Sequence, residues 1–273
     1  MRIPLVDMLA GYPPLKDEIE TAVKNVFNKA NIILGEEVAK FEKEFAAHNG
    51  AKYAVGVANG TDALRLALIA SGIKPGDEII TSPFTFIATT ETISQCGAVP
   101  VFADIDPVSY NLDPKSVESR LTRKTKAVIP VHLYGMPCDM DAFTALAKKH
   151  NLKTIEDTAQ AFTGKYKLGG KDWKYLGSIG DCGAYSFFPA KNLGAFGDGG
   201  AVITSNDKIY EDVLRQSGVI RARSLRQLLE FARGVPVLPT PKGENVLIIT
   251  GAGGSGVLLS DSCVDNGLSL MAM

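Results

Sequence analysis

From residue 52 to residue 157 the sequence alternates short apolar runs with longer stretches of helical periodicity, and this alternation limits the fold more than any other feature. Tyr53–Ala58, Glu78–Thr81, Val99–Ala103, Ala127–His132 and Lys153–Glu156 are predicted as strands. Thr61–Ser71, Phe86–Cys96, Pro114–Leu121 and Met140–His150 are predicted as the helices between them. Strands joined through helices imply right-handed crossovers and a mainly parallel sheet covered on both faces, an α/β fold. Such sheets place ligands at the carboxyl ends of their strands. Upstream, residues 15–28 and 36–48 carry apolar residues at helical spacing, with Val38, Phe41 and Phe45 in one stripe. The intervening Asn31–Gly35 is apolar but too short for a helix.

The residues that suggest chemistry fall at those strand ends. Tyr185–Phe188 is an aromatic run that reads as a strand, breaks at Pro189 and leaves Lys191 on an irregular loop before a glycine cluster. A buried lysine is costly unless its amine has a use, and desolvation favours the neutral form that attacks a carbonyl. The competing reading is a solvated lysine in a hairpin loop. Ser186 offers a hydroxyl to a phosphate at the same strand end. Asn59-Gly60-Thr61-Asp62-Ala63-Leu64 opens a helix after the first strand. Its glycine, its hydroxyl and its free N–H groups suit an anion, and equally suit an ordinary N-cap. Ser82–Thr89 follows the next strand, where Phe86, with Phe84 as competitor, could stack on a flat ring or simply pack in the core. Glu156 and Asp157 end the strand at 153–156 and point to opposite faces, so at most one faces the cleft. A carboxylate there can hold a pyridine nitrogen protonated, or cap the next segment. His132 borders the same region and is expected to be structural.

Bulk properties exclude several classes. The 273 residues, 45% of them hydrophobic, suffice for one large domain, or one domain plus a fragment. A net charge of -1 gives no case for nucleic acid or an anionic membrane as partner. Cys96, Cys138, Cys182 and Cys263 form no CxxC, so free thiols in a reducing cytoplasm are expected rather than disulfides or a thiolate zinc site. His48, His132 and His150 show no metal-ligand spacing. The opening MRIPLVDMLAGYPP is not expected to act as a signal peptide, and no stretch is expected to span a bilayer.

Taken together and in this order, NGTDAL, SPFTFIATT, EDTAQ and SFFPAKNLGAFGDGG resemble the DegT/DnrJ/EryC1/StrS sugar-nucleotide aminotransferases. VDMLAGYPPLKDEI, GEEVAKFEKEFAAHNG and PVHLYGMPCDMDA fit the same pattern, and the resemblance covers about residues 1–220. It implies an aspartate-aminotransferase-like fold, pyridoxal 5′-phosphate as cofactor and a homodimer. It makes Lys191 the Schiff-base lysine, Asp157 the partner of the pyridine nitrogen, Gln160 a neighbour of the ring and its 3-oxygen, and Phe86 the stacking aromatic. Gly60, Thr61, Asp62 and Ser186 become contacts to the phosphate or its cradle. Relatives with histidine at the lysine position dehydrate their substrates. Lysine at 191 therefore implies transamination, with glutamate as donor and a nucleotide-linked keto-sugar as acceptor.

The resemblance also implies a smaller domain beyond residue 220 that the remaining sequence does not match. Residues 221–244 read as a junction, with a proline-rich linker at Val235–Pro241. In 245–273, Asn245–Thr250 reads as a strand, Gly251–Gly256 as a glycine loop and Val257–Cys263 as the start of a helix. A glycine loop serves tight turns as well as nucleotides. The stretch from about residue 223 nevertheless resembles a piece of the flavodoxin-like subdomain of ADP-forming acyl-CoA synthetases. The expectation is an aminotransferase large domain joined to a foreign, loosely docked tail, with the fold kept and turnover impaired or absent. Acyl-CoA or nucleotide binding through the tail is a further alternative.

Overall fold

In the computed structural model, residues 11–216, Gln227, residues 245–246 and residues 269–270 are described. The strands in chain order are β1 (Tyr53–Val57), β2 (Glu78–Thr81), β3 (Val99–Phe102), β4 (Thr125–Val128), β5 (Lys153–Asp157), β6 (Lys165–Leu168), β7 (Asp172–Tyr175), β8 (Cys182–Ser186) and β9 (Gly200–Thr204). The helices are α1 (Lys16–Lys29), α2 (Glu36–His48), α3 (Gly60–Ala70), α4 (Ala88–Gln95), α5 (Pro114–Ser119), α6 (Met140–His150) and α7 (Asp207–Gln216). Seven strands form one sheet in the order β1-β9-β8-β5-β4-β2-β3, while β6 and β7 pair as a separate hairpin.

The pairs β8–β5, β5–β4, β4–β2 and β2–β3 are parallel. β9 runs antiparallel to both β1 and β8. Its reversal has a local cause: residues 187–199 return the chain as a loop rather than a helix, and parallel pairing needs a crossover. The expected α/β architecture with a mainly parallel sheet is therefore present, with one reversed strand inside it. β4 stops at Val128 rather than His132 because Pro130 has no N–H for the ladder. A single bridge, Val131 to Asp157, carries the pairing on. The helix expected from Phe86 begins at Ala88.

Successive strand residues bury opposite faces. Ile79, Ala127, Ala184 and Val202 pack with α3 and α7, whereas Ile80 and Val128 pack with Val117 of α5 and Met140 and Phe143 of α6. Tyr185, Ala201 and Ile203 meet Phe45 of α2, with Phe41 packed against them. α3 is buried nearly all round, through Ala63, Leu64, Leu66, Ala67, Leu68 and Ala70, which fixes it across the centre of the sheet. None of the described helices is long and apolar enough to cross a membrane.

The chain divides into two units, Met1–Arg221 and Ala222–Met273. In the second, residues 245–246 pair in parallel with residues 269–270. The expected linker at 235–241, glycine loop at 251–256 and helix start at 257–263 lie outside the described residues, as does Cys263.

Candidate active site

β1, β2, β4, β5 and β8 all run in one direction, so their carboxyl ends share one edge of the sheet. A cavity of about 580 Å3 opens there, within the range usual for small-molecule sites. Asn59, Gly60 and Thr61 line it after β1, Thr85 and Phe86 after β2, Asp157 and Gln160 after β5, and Ser186 and Lys191 after β8.

One part of the cavity lining is built by close packing of two backbones. Asn59 Oδ1 accepts the Asp62 N–H at 2.8 Å, and the first intrahelical bond runs from Ala63 N–H to the Asn59 carbonyl. The N–H groups of Gly60 and Thr61 precede that bond and face the cavity end of the helix dipole. A Cβ at Gly60 would lie 2.5 Å from Ser186 Cβ, so only glycine lets the helix start come this near the end of β8. Ser186 Oγ accepts the Phe188 N–H at 3.3 Å, which leaves its own proton to donate outward. Asp62, expected beside Gly60 and Thr61, is not in the cavity wall, and its N–H is committed to Asn59.

Another part of the lining carries the acid. Asp157 is buried at the end of β5, where Oδ2 accepts from Thr89 Oγ1 at 2.9 Å and Oδ1 from the Ala159 N–H at 3.2 Å. Burial raises its carboxyl above the usual range, and the Thr89 and Ala159 donors and the Lys191 charge pull it back. Glu156 turns the other way, onto the N–H groups of Gly177, Ile179 and Gly180. Gln160 Oε1 accepts the Tyr134 N–H at 2.8 Å, so its amide nitrogen is the end left to donate. Lys191 sits on the β8–β9 loop, its N–H donating to the Phe188 carbonyl at 2.8 Å, and is half-buried rather than enclosed. Phe86 lines the cavity with 68% of its surface exposed, while Phe84 lies outside it against Tyr110, ring centroids 6.1 Å apart. Thr89, which sequence reasoning passed over, touches the acid directly. Its one signal is its position three residues after Phe86, at the start of α4.

Comparison with known proteins places the chain in a family. A model described as the DegT/DnrJ/EryC1/StrS aminotransferase family matches residues 13–234, and a Ligase-CoA domain model matches residues 246–273. The chain is 48% identical over 207 residues to a UDP-N-acetyl-3-dehydro-alpha-D-glucosamine 3-aminotransferase of Acidithiobacillus ferrooxidans, covering 76% of this chain and 55% of that protein. The crystal structure of Streptomyces venezuelae DesV in complex with a ketimine intermediate superposes with a TM-score of 0.76 at 42% identity, over 82% of this chain and 59% of that one. NtdA from Bacillus subtilis, solved with bound cofactor PMP, gives 0.67 at 32% identity, over 80% and 49%. The chain thus spans about half the length of the relatives it matches, with the aspartate-aminotransferase-like layout. With the strand order, the cavity and the family match in agreement, this chain belongs to the DegT/DnrJ/EryC1/StrS aminotransferase family.

Proposed function

We propose that the chain transfers an amino group to a nucleotide-linked keto-sugar, in the cytoplasm and as a homodimer, using pyridoxal 5′-phosphate and glutamate as donor. The observation that carries this reading is one cavity bordered by an amine, Lys191, and a buried carboxyl, Asp157, with the Gly60–Thr61–Ser186 cradle on another side. The residues present suit the cofactor. The cradle offers N–H and O–H donors to a phosphate, Asp157 keeps lone pairs for a ring N–H, and Phe86 presents an open ring face. When bound, the cofactor supplies an electron-withdrawing ring and a carbonyl carbon that exchanges between amines.

The chain's own residues then divide the work. Lys191 is the covalent attachment point, and, once displaced by the incoming amine, the base that moves a proton at the substrate carbon. Asp157 holds the ring nitrogen protonated. Gln160, anchored by Tyr134, directs an N–H toward the ring oxygen. Gly60, Thr61 and Ser186 bind the phosphate and fix the ring against rotation. The substrate class rests on relatives such as the UDP-sugar 3-aminotransferase, and the donor and the pairing of two copies rest on family kinship.

The test uses the full chain loaded with pyridoxal 5′-phosphate. A visible band should appear, vanish on borohydride reduction and be missing in Lys191→Ala. Glutamate with UDP- or dTDP-linked keto-sugars should then yield amino-sugar and 2-oxoglutarate. A folded chain that shows no Lys191-dependent band with excess cofactor overturns the reading.

A further inference from the structure

α4 contains three threonines, and their hydroxyls behave differently. Thr90 Oγ1 bonds back to the Ile87 carbonyl and Thr92 Oγ1 to the Ala88 carbonyl, the usual destinations for threonine in a helix. Thr89, 1% exposed, sends its hydroxyl out of the helix to Asp157 Oδ2 at 2.9 Å. That commits its proton, so Thr85 Oγ1, 3.0 Å away, is the donor to Thr89. Both threonines line the cavity. Asp157 is thus gripped from two sides, by Thr89 at Oδ2 and by the Ala159 N–H at Oδ1, which fixes the plane of the carboxylate.

We propose that Thr89, backed by Thr85, is a positioning residue that aims the Asp157 carboxylate at the cofactor's ring nitrogen and keeps it charged. This rests on the function proposed above. A buried carboxylate without its donors favours the neutral form, and a neutral Asp157 would not hold a protonated ring nitrogen. The charged and titratable groups around it are few. Lys191 and Asp198 face the cavity from the β8–β9 loop, and His132 follows β4 with its ring turned onto Glu156. Of these, Lys191 is the cation beside the cavity that favours charged Asp157. Loss of the Thr89 hydroxyl therefore shifts the carboxyl upward. The resulting defect is largest at low pH and closes as the pH rises and Asp157 ionises anyway.

The experiment compares full-length wild type, Thr89→Val, which keeps the shape without the hydroxyl, and Thr89→Ser, which restores it. The Asp157 carboxyl is titrated by carbon NMR in the cofactor-free chain, with Asp157→Asn for assignment. Pyridoxal 5′-phosphate affinity is measured across neutral pH by absorbance. Thr89→Val should titrate above wild type and bind about ten-fold more weakly near neutrality, as expected for one charge-assisted hydrogen bond. That deficit should narrow as the pH rises, and Thr89→Ser should match wild type. An unchanged carboxyl titration, or a binding loss that does not vary with pH, overturns the proposal. Thr85→Val, which leaves the Thr89–Asp157 bond in place, should shift the titration the same way but less, and decides the matter if Thr89→Val does not fold. The NMR arm needs no cofactor. Failure of wild type to bind it would count against the proposed function, while the carboxyl titration would still report on Thr89.

Discussion

His132 Nε2 lies 3.0 Å from Glu156 Oε2, with both side chains completely buried. Burial works against a charged imidazole and Glu156 works for it. The surroundings settle the proton's place. Nδ1 accepts the Cys138 N–H at 3.1 Å, and the Cys138 thiol donates to the Val131 carbonyl at 3.2 Å, so the ring is neutral with its proton on Nε2. Glu156 accepts this N–H together with those of Gly177, Ile179 and Gly180, four donors on one carboxyl. The pair ties β5 and the residues after β4 to the loop before β8, directly behind Asp157.

Glu156→Ala should therefore destabilise the chain by about 3–5 kcal/mol, because four donors, two buried and two part-buried, lose their acceptor at once. Glu156→Gln should cost less but not nothing, since its amide nitrogen must meet at least one of those N–H groups. Urea unfolding of the cofactor-free chain measures both. A loss below about 1 kcal/mol for the alanine variant would mean that the network contributes little.

Gly60→Ala tests the cradle. Its new Cβ would press on Ser186 Cβ at 2.5 Å and on Ser186 Cα at 3.2 Å, and the backbone contact cannot swing away. The start of α3 should move off the end of β8, at a cost of about 1–3 kcal/mol. Pyridoxal 5′-phosphate binding should weaken by about ten-fold or more as the two halves of the anion site separate. Thr61→Ala, which only removes a hydroxyl, should weaken binding with little effect on stability, and an identical profile for both variants would show that close packing is not what matters.

Much of this was legible in the sequence because its signals are local. Alternating runs give a covered sheet wherever they occur, and the break at Pro189 ahead of the glycines puts Lys191 at a strand end without reference to any other segment. The reversal of β9 was not legible, because the direction of Gly200–Thr204 depends on how residues 187–199 close between two strands. Opposite orientation of Glu156 and Asp157 follows from the pleat. Which of them faces the cavity depends on the pairing of Asp157 with Ala184 across the sheet. Asp62 lies outside the cavity lining with its N–H on Asn59 Oδ1, the ordinary N-cap that the sequence suited equally well. Thr89 stayed hidden because its partner is 68 residues away.

Gln160→Glu probes an orientation rather than a charge alone. The Tyr134 N–H, on a backbone with φ of 54°, occupies Oε1, so the glutamate variant keeps that bond and presents a second acceptor where the amide had a donor. Affinity for pyridoxal 5′-phosphate should fall by about ten-fold at neutral pH, from repulsion against the ring oxygen. The fold should persist because the Tyr134 contact survives. Equal affinity in the variant and wild type would place the ring away from this side chain.

Asp157 should cost the empty chain stability, with a definite pH signature. Its folded-state carboxyl is raised above the ordinary value of 3.8, with burial the main cause. Between those two values the folded chain holds more protons than the unfolded one, so stability falls as the pH rises through this window. Above the folded-state value the penalty is fully present, and below the ordinary carboxylate range it is gone. Asp157→Asn removes the charge, and its amide can donate to Thr89 Oγ1 while its oxygen accepts the Ala159 N–H. The cofactor-free variant should thus be more stable than wild type at neutral pH, with the difference shrinking to nothing as the pH drops toward the ordinary range, and it should bind cofactor poorly throughout. Urea unfolding at several pH values measures this, and a gap that widens on acidification would reverse the assigned sign and with it the view of Asp157 as a group held at a cost for its chemistry.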